Sequence, residues 1–227
     1  MITAPANEKV KLVRKLQSES WRRKLGLFVA EGEDLIEAAR TAGVEPVELL
    51  VAGENVAPEL LAAASDLPHP PRVIAVYRRA DLPSNRLLLG LALWRVADPG
   101  NVGAVVRTAG AFGASVALSD GCADPTSPRA LRASAGAIFR VPLGDFGDAP
   151  GRRIALVARG GRPLADVDLA QPLSFLLGAE REGLPDEVVS GCDEVATIPT
   201  TGDVESLNVA AAAAIALYAA SSPSSPG

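Results

Sequence analysis

Apolar residues near the start of the chain recur at three-residue intervals, Val10, Val13 and Leu16, with charged residues between them. That spacing predicts an amphipathic basic helix over residues 7–24, with Trp21 toward its apolar side. A short strand at 27–30, a helix at 33–42 closed by Gly43 as a C-cap, and strands at 48–52 and 72–77 flanking a helix at 58–64 follow. This alternation stops near residue 80 and predicts a small α/β unit. After a polar stretch the pattern changes to continuous apolar runs bounded by turns, with strands expected at 86–94, 114–119, 138–142, 153–158, 174–177 and 194–198. Helices are expected at 101–112, 128–135 and 206–220. Strands that are apolar throughout are buried on both faces, so this second part should hold a mainly parallel sheet with helices on both sides. The predicted organisation is α/β: a domain at 1–80, a linker at 81–85, a larger domain at 86–220, and a tail at 221–227 too polar and proline-rich to fold.

Composition narrows the classes. The 227 residues, 48% of them hydrophobic, suffice for a sizeable core. No run approaches the roughly 20 apolar residues of a membrane helix. The opening NEKVKLVRKL lacks the apolar centre of a secretion signal, so the expectation is a cytoplasmic protein with no membrane partner. Cys122 and Cys192 have no CxxC partner, and the one histidine, His69, lies in a proline cluster. A metal site, a disulfide framework and a Ser-His-Asp triad are therefore not expected.

The net charge of −5 argues against a polyanionic partner until its distribution is considered. Residues 1–24 carry Lys9, Lys11, Arg14, Lys15, Arg22, Arg23 and Lys24 against Glu8 and Glu19, a net of +5 that leaves −10 for the rest. Such asymmetry fits either an arm that binds RNA or a solvated helix face.

Three segments then carry the chemistry: Asp98-Pro99-Gly100-Asn101-Val102-Gly103-Ala104-Val105-Val106-Arg107, Leu177-Gly178-Ala179-Glu180-Arg181-Glu182-Gly183-Leu184-Pro185, and Ser206-Leu207-Asn208-Val209 before an alanine-rich helix. In this order and spacing they resemble the motifs of the SpoU family of S-adenosylmethionine-dependent RNA ribose 2′-O-methyltransferases. The pattern R-x-x-x-G-L-F-V-A-E-G from Arg22 to Gly32 resembles the substrate-binding domain, similar to ribosomal protein L30e, that often precedes the catalytic domain of that family. The resemblance implies a trefoil-knotted catalytic domain, a homodimer formed through it, and S-adenosylmethionine held at Leu177, Gly178, Ile198, Pro199 and Leu207. It places Arg107, Asn101, Glu180, Ser206 and Asn208 around the reacting centre. Ribosomal RNA is the implied substrate, with transfer RNA as the alternative. The chain departs from the family pattern at Thr200, where methionine is usual, and at Ala210, where serine is usual.

Methyl transfer from a sulfonium asks chiefly for geometry, because the cofactor already carries the activated group. Gly178 at a strand's carboxyl end would let the backbone approach a ligand there. Asn101 and Ser206 each read as helix N-caps. Arg107, six residues beyond Asn101, is too basic to surrender a proton readily, so deprotonating the ribose and orienting or neutralising the substrate stay open as its roles. Helix 209–220 has no polar face and must be covered.

Two other functions compete. Gly100 to Gly103 after a strand suggests a dinucleotide-binding oxidoreductase, but only GxxG is present. A non-catalytic RNA-binding protein would need only the basic segment, and leaves the five polar motif residues unexplained.

Overall fold

The computed structural model describes residues 1–67, 69–85, 87–201 and 206–221. The predicted tail lies outside them except for Ser221, which ends the last helix, and so does Arg86.

The first part opens with two helices where one was expected, α1 (Glu8–Leu16) and α2 (Glu19–Leu25). Asn7 caps α1 by accepting from the Lys9 amide, and the chain turns extended at Ser18 before α2. Strand β1 (Leu27–Glu31), helix α3 (Glu33–Thr41), strand β2 (Glu48–Val51), helix α4 (Pro58–Ala62) and strand β3 (Val73–Arg78) follow. The strands form an antiparallel sheet in the order β1-β3-β2. Alternate residues serve opposite faces, as strand geometry dictates. Val29, Leu50, Ile74 and Val76 pack against Val10, Val13 and Leu16 of α1, while Phe28, Ala30, Ala75 and Tyr77 face the other way.

The second part comprises β4 (Leu89–Leu93), α5 (Pro99–Phe112), β5 (Ser115–Leu118), α6 (Pro128–Ser134), β6 (Leu143–Asp145), β7 (Arg152–Leu156), β8 (Arg162–Pro163), β9 (Leu173–Leu177), α7 (Asp186–Ser190), β10 (Glu194–Thr197) and α8 (Val209–Ser221). Its seven strands run in the order β6-β5-β4-β9-β7-β10-β8, and every pairing is parallel. β4 and β9 at the centre are buried at every residue, which accounts for their unbroken apolar runs. The strand expected at 138–142 is absent. Gly136 takes a left-handed backbone, Ala137–Phe139 coil into a 3-10 turn, and pairing begins only at Leu143. That turn packs against α5, so its apolar residues are buried without joining the sheet.

The outward face of the small sheet is not solvated. Phe28 and Tyr77 stack with centroids 5.7 Å apart, and Phe139 from the larger unit closes on them at 6.1 and 5.1 Å. One hydrophobic core therefore runs through both sheets. Burial there pushes the Tyr77 phenol up to about 12, helped by Glu45.

Candidate functional site

Parallel sheets bind ligands beyond the carboxyl ends of their strands, and a cavity of about 530 Å³ lies there. Leu156 to Ala158 at the end of β7, Gly178 to Gly183 after β9, and Ile198 and Thr200 after β10 form three sides. Ser206, Leu207, Val209 and Ala212 at the start of α8 complete it. Of the residues expected to hold a cofactor, Leu177, Gly178, Ile198 and Leu207 line this cavity, whereas Pro199 lies between two lining residues without lining it. Leu156, Val157 and Ala158 were not foreseen as wall residues, since β7 carries no motif. Its place beside β9 in the sheet is the signal, and that place is long-range information.

The loop after β9 returns on itself. The Gly183 amide donates to the Ala179 carbonyl at 2.9 Å, and a Cβ on Gly178 would stand 2.0 Å from the Gly183 carbonyl carbon. Glycine is required at 178 for the loop's own closure, and Gly178 also lines the cavity.

A chain of polar residues reaches this cavity at Glu180, which lines it. Asn101 Nδ2 donates to Glu180 Oε1 at 2.8 Å, and Asn208 Nδ2 donates to Asn101 Oδ1 at 3.0 Å. Asn208 Oδ1 accepts from the Ala210 and Ala211 amides at 2.9 and 3.4 Å. Each amide oxygen and nitrogen thus has a defined direction, and residues as far as 107 positions apart form one chain of hydrogen bonds. Two cap assignments change with it. Asp98, not Asn101, caps α5 by accepting from the Asn101 amide at 2.9 Å, which places Asn101 inside the first turn with its side chain free for Glu180. Asn208, not Ser206, caps α8, while Ser206 lines the cavity from an exposed position.

Arg107 is not part of this network. At 100° per residue it lies about 240° around α5 from Asn101. It is exposed, with no hydrogen bond or ion pair to any described residue.

The basic segment divides sharply. Arg22 is a correction: its side chain is 4% exposed, its Nε donates to Asp124 at 2.7 Å, and its Nη1 donates to the Leu16 and Gln17 carbonyls. It is a structural cation buried between the two units and unavailable to RNA. Lys9 pairs with Glu48, Lys11 with Glu8 and Arg23 with Glu19. Arg14, Lys15 and Lys24 have no carboxylate partner among the described residues, and Lys15 and Lys24 stand 5.0 and 4.9 Å from the Trp21 ring.

The cavity suits S-adenosylmethionine on its own chemistry. Its volume falls in the range of cofactor sites, its apolar walls can take an adenine, and Glu180 and Glu182 offer negative charge to a cationic ligand. Among the described residues no group of three or more potential metal ligands occurs, and no helix is long and apolar enough to cross a membrane.

Comparison with known proteins agrees with this geometry. The family model described as SpoU rRNA Methylase matches residues 89–218, and the MRM3-like substrate binding domain matches residues 7–80. The chain is 30% identical over 244 residues to the 23S rRNA (guanosine(2553)-2′-O)-methyltransferase RlmP of Bacillus subtilis (strain 168), covering 96% of this chain and 97% of that protein. The AdoMet-bound rRNA methyltransferase from Sinorhizobium meliloti superposes with a TM-score of 0.84 at 27% identity, over 96% of each chain. The SpoU methyltransferase AviRb from Streptomyces viridochromogenes, in complex with AdoMet, gives the same TM-score at 26% identity over 94% of this chain and 97% of that one. With a matched catalytic region that contains the cavity, the capped helix α5 and the asparagine–glutamate network, the chain belongs to the SpoU rRNA methylase family.

Proposed function

We propose that this protein methylates a ribose 2′-hydroxyl of ribosomal RNA, using S-adenosylmethionine, and acts in the cytoplasm as a homodimer. The observation that carries the reading is the Asn208–Asn101–Glu180 network, which ends on the wall of a cofactor-sized cavity. The rRNA assignment draws support from the 23S rRNA-directed relative that spans nearly the whole chain.

The cofactor, when bound, supplies an electrophilic methyl on sulfur. Backbone groups around Gly178, Ile198 and Leu207 would hold it, with Leu156 and Val209 shielding its apolar part. Asn101 fixes one Glu180 oxygen, so the carboxylate is presented to the cavity in one orientation instead of sampling rotamers. Asn208, tied to the first turn of α8, holds Asn101 in turn. Ser206 is a hydroxyl at the same rim and can take part in a hydrogen bond with the incoming ribose. Arg107 presents a planar fork of donors, a shape suited to holding a phosphate and neutralising charge beside the ribose.

For the dimer, α8 presents Ile215 and Tyr218 to solvent at 40% and 67% exposure on a helix with no polar face. Such a face, on the helix whose start lines the cavity, is suited to a second copy of the chain.

The test is incubation with methyl-labelled cofactor and, separately, protein-free 23S rRNA and bulk tRNA. Label is expected in rRNA, in dinucleotides that resist alkaline cleavage because the 2′-oxygen is blocked. Label on bases, or on tRNA alone, would overturn the assignment.

A further inference from the structure

Among the described residues two that are not glycine have a positive φ, Ala135 at 47° and Arg95 at 52°. Ala135 ends helix α6, where the left-handed conformation is the ordinary cap. Arg95 has no such reason: it directly follows Trp94 at the carboxyl end of the central strand β4, in a conformation that costs an L-residue backbone energy.

The surroundings hold it there from both sides. The Trp94 amide donates to the Leu177 carbonyl at 2.8 Å, the Arg95 amide donates to Ser119 Oγ at 2.9 Å, and the buried Val96 accepts from the Ala123 amide at 2.9 Å. The effect is to throw the Arg95 side chain outward while its neighbours stay in the fold. Its guanidinium lies 5.8 Å from the Trp94 ring centre, and Trp94 is itself braced edge-on by Phe146 at 5.1 Å. Gly121 makes room below, since a Cβ there would stand 3.2 Å from Arg95 Cγ. Arg95 is exposed and has no ion pair with any described residue.

The location gives this arrangement a meaning. Leu93 pairs with Leu177, so Trp94 and Arg95 emerge one strand spacing, roughly 5 Å, beside Gly178 of the cavity. Three residues later Asp98 caps the helix that carries Asn101. A guanidinium is a planar fork matched to phosphate oxygens, and stacking on an indole restricts its motion before any ligand arrives.

We propose that Arg95, stacked on Trp94, is an RNA-binding residue that grips a backbone phosphate next to the target nucleotide. The inference rests on the methyltransferase reading, in that the strand it grips is the substrate strand, but its test is separable. Glycine is free to adopt the Arg95 backbone conformation, so Arg95→Gly removes the guanidinium without straining the fold. Arg95→Gly and Arg95→Lys are compared with the wild type for binding to a protein-free 23S rRNA transcript at several salt concentrations, for methyl transfer, and for S-adenosylmethionine affinity by calorimetry. Arg95→Gly is expected to melt no lower than wild type, to bind cofactor equally, and to bind RNA about tenfold more weakly, with a salt slope reduced by about one. Arg95→Lys should recover part of the loss, because it restores charge without the fork. Wild-type RNA affinity and salt slope in Arg95→Gly would overturn the proposal. So would unchanged RNA affinity with loss of the dimer in sedimentation, which would assign Arg95 to a carboxylate of a second copy. A wild-type protein that binds the transcript but transfers no methyl would instead overturn the enzymatic reading, leaving the binding comparison to decide the role of Arg95.

Discussion

Replacing Asp124 by alanine should unfasten the two units more than any surface change, and the cost can be worked from the partners it leaves behind. Asp124 lies between β5 and α6 with its side chain 4% exposed. It accepts from Arg22 Nε at 2.7 Å, from Arg79 Nη2 at 2.5 Å, and from the Thr126 amide and hydroxyl at 2.9 and 2.7 Å. Arg79, at 32% side-chain exposure, can turn toward water, but Arg22 at 4% cannot. The cost is then that of an unpaired buried cation, about 4 kcal/mol. For a chain of this length each kcal/mol moves the midpoint by about 2–4 °C, so thermal unfolding followed by circular dichroism should drop by roughly 8–16 °C. Arg22→Met together with Asp124→Leu should regain most of that, because two apolar groups demand no partner. The same carboxylate sets an acid limit. Burial works to raise its pKa, but the hydrogen bonds from Thr126 and the Arg79 and Arg22 guanidiniums outweigh burial and hold it below the usual carboxylate range. A depressed folded pKa means stability that is complete above the unfolded value near 4 and is lost as the pH falls below it toward the folded value. Asp124→Ala should flatten that acid limb. An Asp124→Ala protein that melts within about 2 °C of wild type at neutral pH would refute the reasoning.

Arg107→Ala should lower kcat by about 10²–10³ with cofactor affinity by calorimetry unchanged, and a wild-type rate would remove it from the reaction. Gly178→Ala drives a methyl into the Gly183 backbone, so S-adenosylmethionine affinity should fall at least about tenfold, with a stability loss of about 1–3 kcal/mol seen in denaturant titration. Equal affinity would show that the loop opens at no cost. Ile215→Asp with Tyr218→Asp should shift sedimentation at micromolar concentration from dimer to monomer, and an unchanged dimer would place the interface elsewhere.

Much of the architecture is legible along the chain because the responsible forces are local. Apolar runs mark β4 and β9, whereas α5 begins at Pro99, two residues before the asparagine from which its helix is expected. The site was legible through its three segments, and two of them meet the third through side-chain hydrogen bonds. What stayed hidden depends on distant partners. Arg22 reads as one more surface cation until Asp124, 102 positions away, is placed against it. The apolar stretch after Gly136 reads as a strand because burial by a helix and burial in a sheet leave the same composition. The left-handed turn at Arg95 carries no glycine to announce it.

The aromatic seam of Phe28, Tyr77 and Phe139 has a consequence for how a target is chosen. Units that share a core do not swing independently, so the patch around Trp21 and the cofactor mouth stand at a set separation and angle. Under the proposed function the protein would work as a caliper, accepting an RNA whose folded shape brings a ribose to one jaw while another segment rests on the other.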